Sequence, residues 1–234
     1  MRKERFGELA ATVTGGSDGR GGGDGPVVVL LHGFGAPGED LVDLARFVRA
    51  PANVRFVFPE APLLLEGGPG RAWWMLDMAL FERRMRGERV DRSDDQPASL
   101  PRLREQLLGT LDALGSQLSV SRERMLIGGF SQGSMLACDV ALHAEVKPAG
   151  LILLSSTLIA RAQWTAQMPS CAGLPVLQTH GQRDPILPYE DAERLRDLFL
   201  AAKADLTFVP FPGGHELPPV TLEALSAFIA KHAV

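Results

Sequence analysis

Short, largely apolar runs recur along the chain, several of them without polar alternation: Val27–Leu31, Val54–Phe58, Met125–Gly129, Leu151–Ser155, Val176–Thr179 and Leu206–Pro210. A strand wetted on one face alternates apolar with polar residues, whereas a continuous run suits a strand buried on both faces. Helical stripes lie between the runs. Leu103, Leu107, Leu111, Leu114 and Leu118 step by four, four, three and four, which lines one face of a helix. Ala192, Leu195, Leu198, Phe199 and Ala202 form a second stripe, and Leu222, Leu225, Phe228 and Ile229 a third. Strands alternating with helices predict an α/β fold with a mostly parallel central sheet and helices on both faces. A further short strand is expected around Leu9–Val13, followed by a flexible turn over Gly15–Gly25. Residues 59–100 interrupt the alternation and read as an excursion of loop and helix. Within it, ten of the sixteen residues from Phe81 to Gln96 are charged, with mixed signs, which predicts a solvated surface segment.

Composition narrows the classes. With 234 residues, 45% of them hydrophobic, the chain reads as a single domain over 1–234 with a full core. A formal charge of −4 argues against a nucleic-acid partner, which requires a clustered basic excess. The longest apolar run falls far short of the roughly 20 residues that span a bilayer, so no membrane span is expected. Met1–Gly16 has no apolar segment of the secretory kind. Cys138 and Cys171 stand alone and fit a reducing compartment, so the expected location is cytoplasmic.

In sheets of this type the reactive residues sit on loops at the carboxyl ends of the strands. Gly129-Phe130-Ser131-Gln132-Gly133 follows the Met125–Gly129 strand and opens a helix running to about His143. That is the G-x-S-x-G turn in its strand–turn–helix setting, with Ser131 placed as a nucleophile. A turn this sharp strains the serine backbone and leaves no room for bulky neighbours, hence the glycines at 129 and 133. Asp184 falls on the loop after the Val176–Thr179 strand, and His215, in Gly213-Gly214-His215-Glu216, after the Leu206–Pro210 strand. The order Ser, Asp, His is the one a nucleophile–acid–base triad takes when built on this topology. Glu190 and Asp191 are rival acids but fall inside the next helical stripe. His32 and His180 end buried strands, where hydrogen bonding at the strand end is expected, and His143 sits at a helix end. No histidine pair has metal-ligand spacing, so no metal is expected.

Acyl transfer also needs donors for the oxyanion. The backbone N–H after the nucleophile, at Gln132, is one, and the loop after the first core strand, Leu31-His32-Gly33-Phe34-Gly35-Ala36, supplies the other at Phe34. The blocks LLHGFGAPGED, GFSQGSM, THGQRDPILP and GGHEL resemble the phospholipase/carboxylesterase family of α/β hydrolases, which includes the acyl-protein thioesterases, from about Val27 to the C-terminus. The resemblance implies the α/β-hydrolase fold and hydrolysis of carboxylic esters or thioesters, with Ser131, Asp184 and His215 as triad, Phe34 and Gln132 as oxyanion donors and no cofactor. Arg71-Ala72-Trp73-Trp74 is similar to the family's Arg-x-Trp-Phe block but continues with Met75-Leu76. Ser156 and Ser134 stand where the family often has glycine.

Trp73, Trp74 and Leu64 in the excursion, with Ile186 and Leu158 on later loops, are the expected acyl-pocket residues, Trp73 foremost. No insertion large enough for a lid domain precedes the acid loop. The expected partner is a small acyl-ester or thioester substrate, and exposed apolar residues in the 59–80 region leave a homodimer open. Two other readings stay open: a serine peptidase or amidase on the same fold, and a ligand-binding homologue that has lost the chemistry.

Overall fold

A computed structural model of the chain describes residues 1–86, 88, 91 and 93–234. Among these, nine strands form the main sheet: β1 (Arg2–Phe6), β2 (Leu9–Gly16), β3 (Arg20–Gly22), β4 (Val27–Leu31), β5 (Arg55–Pro59), β8 (Met125–Phe130), β9 (Gly150–Leu154), β10 (Pro175–Gly181) and β11 (Asp205–Phe211). Their order is β1-β2-β5-β4-β8-β9-β10-β11, with β3 beside β2. The pairs from β5 to β11 are parallel, while β1–β2 and β2–β5 are antiparallel. A separate ribbon pairs β6 (Leu63–Leu64) with β7 (Arg71–Ala72). The helices are α1 (Leu44–Phe47), α2 (Met78–Met85), α3 (Leu100–Gln117), α4 (Gln132–His143), α5 (Arg161–Gln167), α6 (Tyr189–Ala201) and α7 (Pro219–His232).

The unbroken apolar runs follow from period-two geometry inside a sandwich of helices. On β4, Val27, Val29 and Leu31 join one core layer, and Val28 and Leu30 the other. β9 divides likewise, Leu151 and Leu153 against Ile152 and Leu154. The first layer is closed by α3, α4, α5 and α6 through Leu107, Leu136, Trp164 and Leu195; the second by α1 and α7 through Leu44, Leu225 and Ile229. A side chain on either face of a central strand therefore meets a helix, so β4 and β9 are apolar on both faces.

The N-terminal region departs from expectation. The short strand at Leu9–Val13 is one arm of a hairpin: β1 runs antiparallel to β2 with Arg2 opposite Val13 and Phe6 opposite Leu9. Arg2-Lys3-Glu4-Arg5 gives no hydrophobic signal because β1 is the sheet edge, where charged side chains discourage further pairing. The Gly15–Gly25 stretch is structured: Arg20–Gly22 pairs with β2, and Asp18 Oδ1 accepts from the N–H of Arg20 and Gly22, both at 2.8 Å. Buried Arg55 adds hydrogen bonds to the carbonyls of Gly25 (2.8 Å), Gly23 (3.0 Å) and Leu118 (2.7 Å). A flexible-turn reading from composition alone misses Arg55, because it lies some thirty residues further along the chain. The expected surface segment Phe81–Gln96 lies partly outside the described residues; within it Glu82, Arg83, Arg86, Glu88, Asp91 and Asp94 are exposed, and Ser93 is buried.

One buried charge ties three helices of the first layer together. Asp139 on α4 is wholly buried and accepts from Arg104 Nε of α3 at 2.7 Å, Arg104 Nη2 at 3.2 Å and Trp164 Nε1 of α5 at 2.9 Å. Replacing Asp139 with Ala leaves the guanidinium and the indole N–H without their acceptor. The expected loss is about 3–5 kcal/mol of stability, read in calorimetry as a Tm lower by about 6–20 °C. A Tm within 2 °C of the native one contradicts this role.

Candidate active site

Ser131 lies between the last residue of β8 and the first of α4, where the chain must turn from strand to helix within one residue. Its backbone takes φ 54° and ψ −121°, a conformation that L-residues rarely adopt. The turn fits because the chain on both sides lies against β4: a Cβ on Gly133 would fall 2.2 Å from the Leu31 carbonyl oxygen, and one on Gly129 2.4 Å from it. Hydrogen bonds hold the strained residue at both ends. Ser131 N–H donates to Leu154 O at 2.9 Å, and Ser131 O accepts from the N–H of Ser134 (3.0 Å) and from Ser134 Oγ (2.6 Å).

The acid and the histidine come from two adjoining loops. Gln182 N–H donates to Phe211 O at 2.8 Å and Arg183 N–H to Gly213 O at 2.9 Å, continuing the β10–β11 pairing past the sheet. Asp184 Oδ1 accepts from the N–H of Ile186 (2.8 Å) and Leu187 (2.9 Å), leaving Oδ2 for His215 Nδ1 at 2.7 Å. Burial alone would push the Asp184 carboxyl up, but the His215 bond and the loop N–H groups outweigh it and hold the group below its ordinary value. With Nδ1 donating to the carboxylate, the lone pair of His215 is on Nε2. The His215 ring packs on the ring of Phe130, the residue before Ser131, with centroids 4.7 Å apart. No hydrogen bond joins Ser131 Oγ to His215 among the described residues.

Phe34, Ser131 and Gln132 line one cleft together. Among the described residues the backbone N–H groups of Phe34 and Gln132 have no acceptor within the chain. The Phe34 loop is braced from outside by Gly35 N–H to Arg71 O (2.8 Å) and Arg71 N–H to Ala36 O (3.0 Å). The rest of the wall is largely apolar: Trp74, Leu76, Pro97, Met135, Ile159, Ile186 and Leu187, with Thr157 and Asp95.

Of the five expected pocket residues, Trp74 and Ile186 line this cleft. Trp73 does not: it is 1% exposed, and its Nε1 donates to His32 O at 2.9 Å. Leu64 is 64% exposed on the β6–β7 ribbon, and Leu158 is buried between the wall residues Thr157 and Ile159. Leu76, Asp95 and Pro97 join the wall from the 59–100 excursion, which was expected to supply pocket residues, although these three were not singled out. Met135, Thr157 and Ile159 were not expected there; of these only Met135 carried a signal, since it sits four residues after Ser131 and so on the same face of α4.

The remaining histidines have local partners. His32 Nδ1 donates to Gly33 O at 2.8 Å while Nε2 accepts from Ala61 N–H at 3.0 Å. His180 Nε2 donates to Leu187 O and His143 Nδ1 to Asp139 O, each at 2.8 Å. The rival acid Asp191 pairs with Arg194 at 3.1 Å on α6. Cys138 and Cys171 are free and buried, and no group of three His, Cys, Asp or Glu among the described residues could hold a metal ion.

A mostly parallel sheet sandwiched by helices, with an elbow serine and a coupled acid–histidine pair on loops at the strands' carboxyl ends, defines an α/β hydrolase. Residues 22–233 match the phospholipase/carboxylesterase family model, and the chain belongs to that family. It is 30% identical to acyl-protein thioesterase 1 of Mycosarcoma maydis, covering 86% of this chain and 89% of that one. It is 27% identical to acyl-protein thioesterase 1 of Neurospora crassa, covering 87% and 85%. The crystal structure of esterase PE8 superposes with a TM-score of 0.82 at 26% identity, over 97% of this chain and 99% of that one. This chain is thus an enzyme of a family of carboxylic-ester hydrolases.

Burial holds the His32 and His180 imidazoles below their ordinary value of 6.5, so both are neutral at pH 7 and bind protons more readily once the chain unfolds. Stability is therefore expected to be constant above pH 6.5 and to fall as pH drops below it. A second fall follows at lower pH, when the depressed Asp184 carboxylate titrates. Calorimetry across pH 3–8 checks this: His180→Gln should flatten the first fall, and an unchanged slope in that variant speaks against His180 as its source.

Proposed function

We propose that this protein hydrolyses small acyl esters, thioesters included, through an acyl-enzyme on Ser131. The observation that carries the reading is the 2.7 Å bond between His215 Nδ1 and Asp184 beside a serine held in a strained elbow. Ser131 Oγ attacks the acyl carbon as its proton passes to His215 Nε2, forming the C–O bond and moving the carbonyl electron pair onto oxygen. Closure of the Oγ–Nε2 hydrogen bond accompanies substrate binding, as is common for catalytic contacts that are long in the free enzyme. Asp184 holds the tautomer and stabilises the imidazolium. The unengaged N–H groups of Phe34 and Gln132 receive the oxyanion, each contributing about 3 kcal/mol to lowering the barrier. Collapse expels the alcohol or thiol, which takes the proton from Nε2, and water repeats the sequence to release the acid.

The apolar wall from Trp74 to Leu187 supports an acyl chain as the group held in the cleft. Two free, buried cysteines support a reducing, cytosolic setting, and no described helix is long and apolar enough to cross a membrane. Exposed Leu63, Leu64, Met75 and Met78 offer apolar area for a homodimer, which sedimentation at several concentrations tests.

Ser131→Ala is expected to lower aryl-ester turnover by about 10⁴-fold or more and abolish fluorophosphonate labelling, with Tm unchanged. Asp184→Asn is expected to lower kcat by about 10³–10⁴-fold. Ester hydrolysis retained by Ser131→Ala, or amides cleaved as fast as matched esters by the native enzyme, contradicts the assignment.

A further inference from the structure

Gln132 has a second set of contacts that the oxyanion role does not use. Its side chain is buried, and both ends of the amide bond one dipeptide: Oε1 accepts from Trp73 N–H at 2.9 Å and Nε2 donates to Trp74 O at 2.8 Å. Two antiparallel bonds from one planar amide fix both the position and the rotation of the backbone they grip. The far side of the dipeptide is held too, by Trp73 Nε1 on His32 O at 2.9 Å and by the Arg71 bridge to Gly35 and Ala36. Trp73 is thereby locked behind the wall, and Trp74 is presented to the cleft 58 residues away from the helix that holds it.

We propose that the Gln132 side chain is a specificity-determining positioning residue, which sets the acyl-chain selectivity of the cleft by fixing Trp74 in its wall. This rests on the reading of the cleft as the acyl site of an esterase. The physical reason is the cost of alternatives. A buried N–H and a buried C=O left without partners each carry a desolvation penalty, so without the amide the dipeptide moves to find others and takes Trp74 with it. An acyl chain long enough to lie along the wall registers that movement more than an acetyl group does.

The test is the ratio of kcat/KM for octanoyl over acetyl aryl esters, each enzyme normalised by fluorophosphonate titration of Ser131. Gln132→Met removes both bonds and should change the ratio about tenfold. Trp74→Ala should change it comparably, and the variant carrying both should show the ratio of Trp74→Ala alone, because one change acts through the other. Gln132→Glu keeps the size and remains informative if the methionine variant does not fold. Its carboxylate sets an acceptor against Trp74 O and shifts the ratio at neutral pH. On acidification the protonated carboxyl can donate again, and the ratio should return toward that of the native enzyme at the same pH, a recovery that a general packing defect does not show. A ratio unchanged in Gln132→Met, effects that multiply in the paired variant, or no acid recovery in Gln132→Glu overturns the proposal. Failure of the native enzyme to label or to turn over either ester overturns the esterase reading instead.

Discussion

The approach of the Ser131 turn to the end of β4 governs the site. Gly129 and Gly133 bring the chain on both sides of Ser131 onto the Leu31 carbonyl, closer than any Cβ would permit. That contact requires β4 and β8 to be neighbours in parallel register, Leu31 level with Gly129. It also puts the loop leaving β4, with Phe34, beside the helix start that carries Gln132. Ser131, the candidate nucleophile, and both candidate oxyanion donors thus share one point of closest packing, and the strain at φ 54° is held by hydrogen bonds to β9 and α4 rather than released.

The other half of the site depends on a different feature. β10 and β11 are paired from Pro175↔Asp205 to Gly181↔Phe211, and the pairing continues into their loops, so Asp184 and His215 are presented as one unit. Oδ1 is occupied by two backbone N–H groups and Oδ2 by the imidazole, which leaves the carboxylate no freedom to turn. Phe130 links the halves, since its ring packs on His215 while its backbone leads into Ser131. Behind both stands the 71–74 segment, which braces the Phe34 loop on one side and receives the Gln132 amide on the other.

Much of this was legible in the sequence. The continuous apolar runs implied strands buried on both faces, and β4, β8 and β9 lie so between two helical layers, because the period of two is satisfied on each side, whereas β11, at the sheet edge, is partly exposed. The Ser, Asp and His blocks each follow a strand, and in a parallel sheet that alone brings their loops to one edge. The placement of the candidate residues was readable because it depends on residue type and on position relative to a strand end, both of which are local properties.

What the sequence by itself determined was the alternation of elements, the parallel sheet and the residues at its carboxyl edge. Only the tertiary structure decided the N-terminal hairpin, where β1 is charged because it is an edge, and the structured Gly15–Gly25 segment, where Arg55 supplies partners from a distant strand. Only it decided that Trp74 and not Trp73 faces the cleft, and that Pro97, Thr157 and Ile159 join it there. The reason is the same in each case. Periodicity says which side chains share a face, but not which distant segment closes over that face, and a pocket wall is made entirely of such closures.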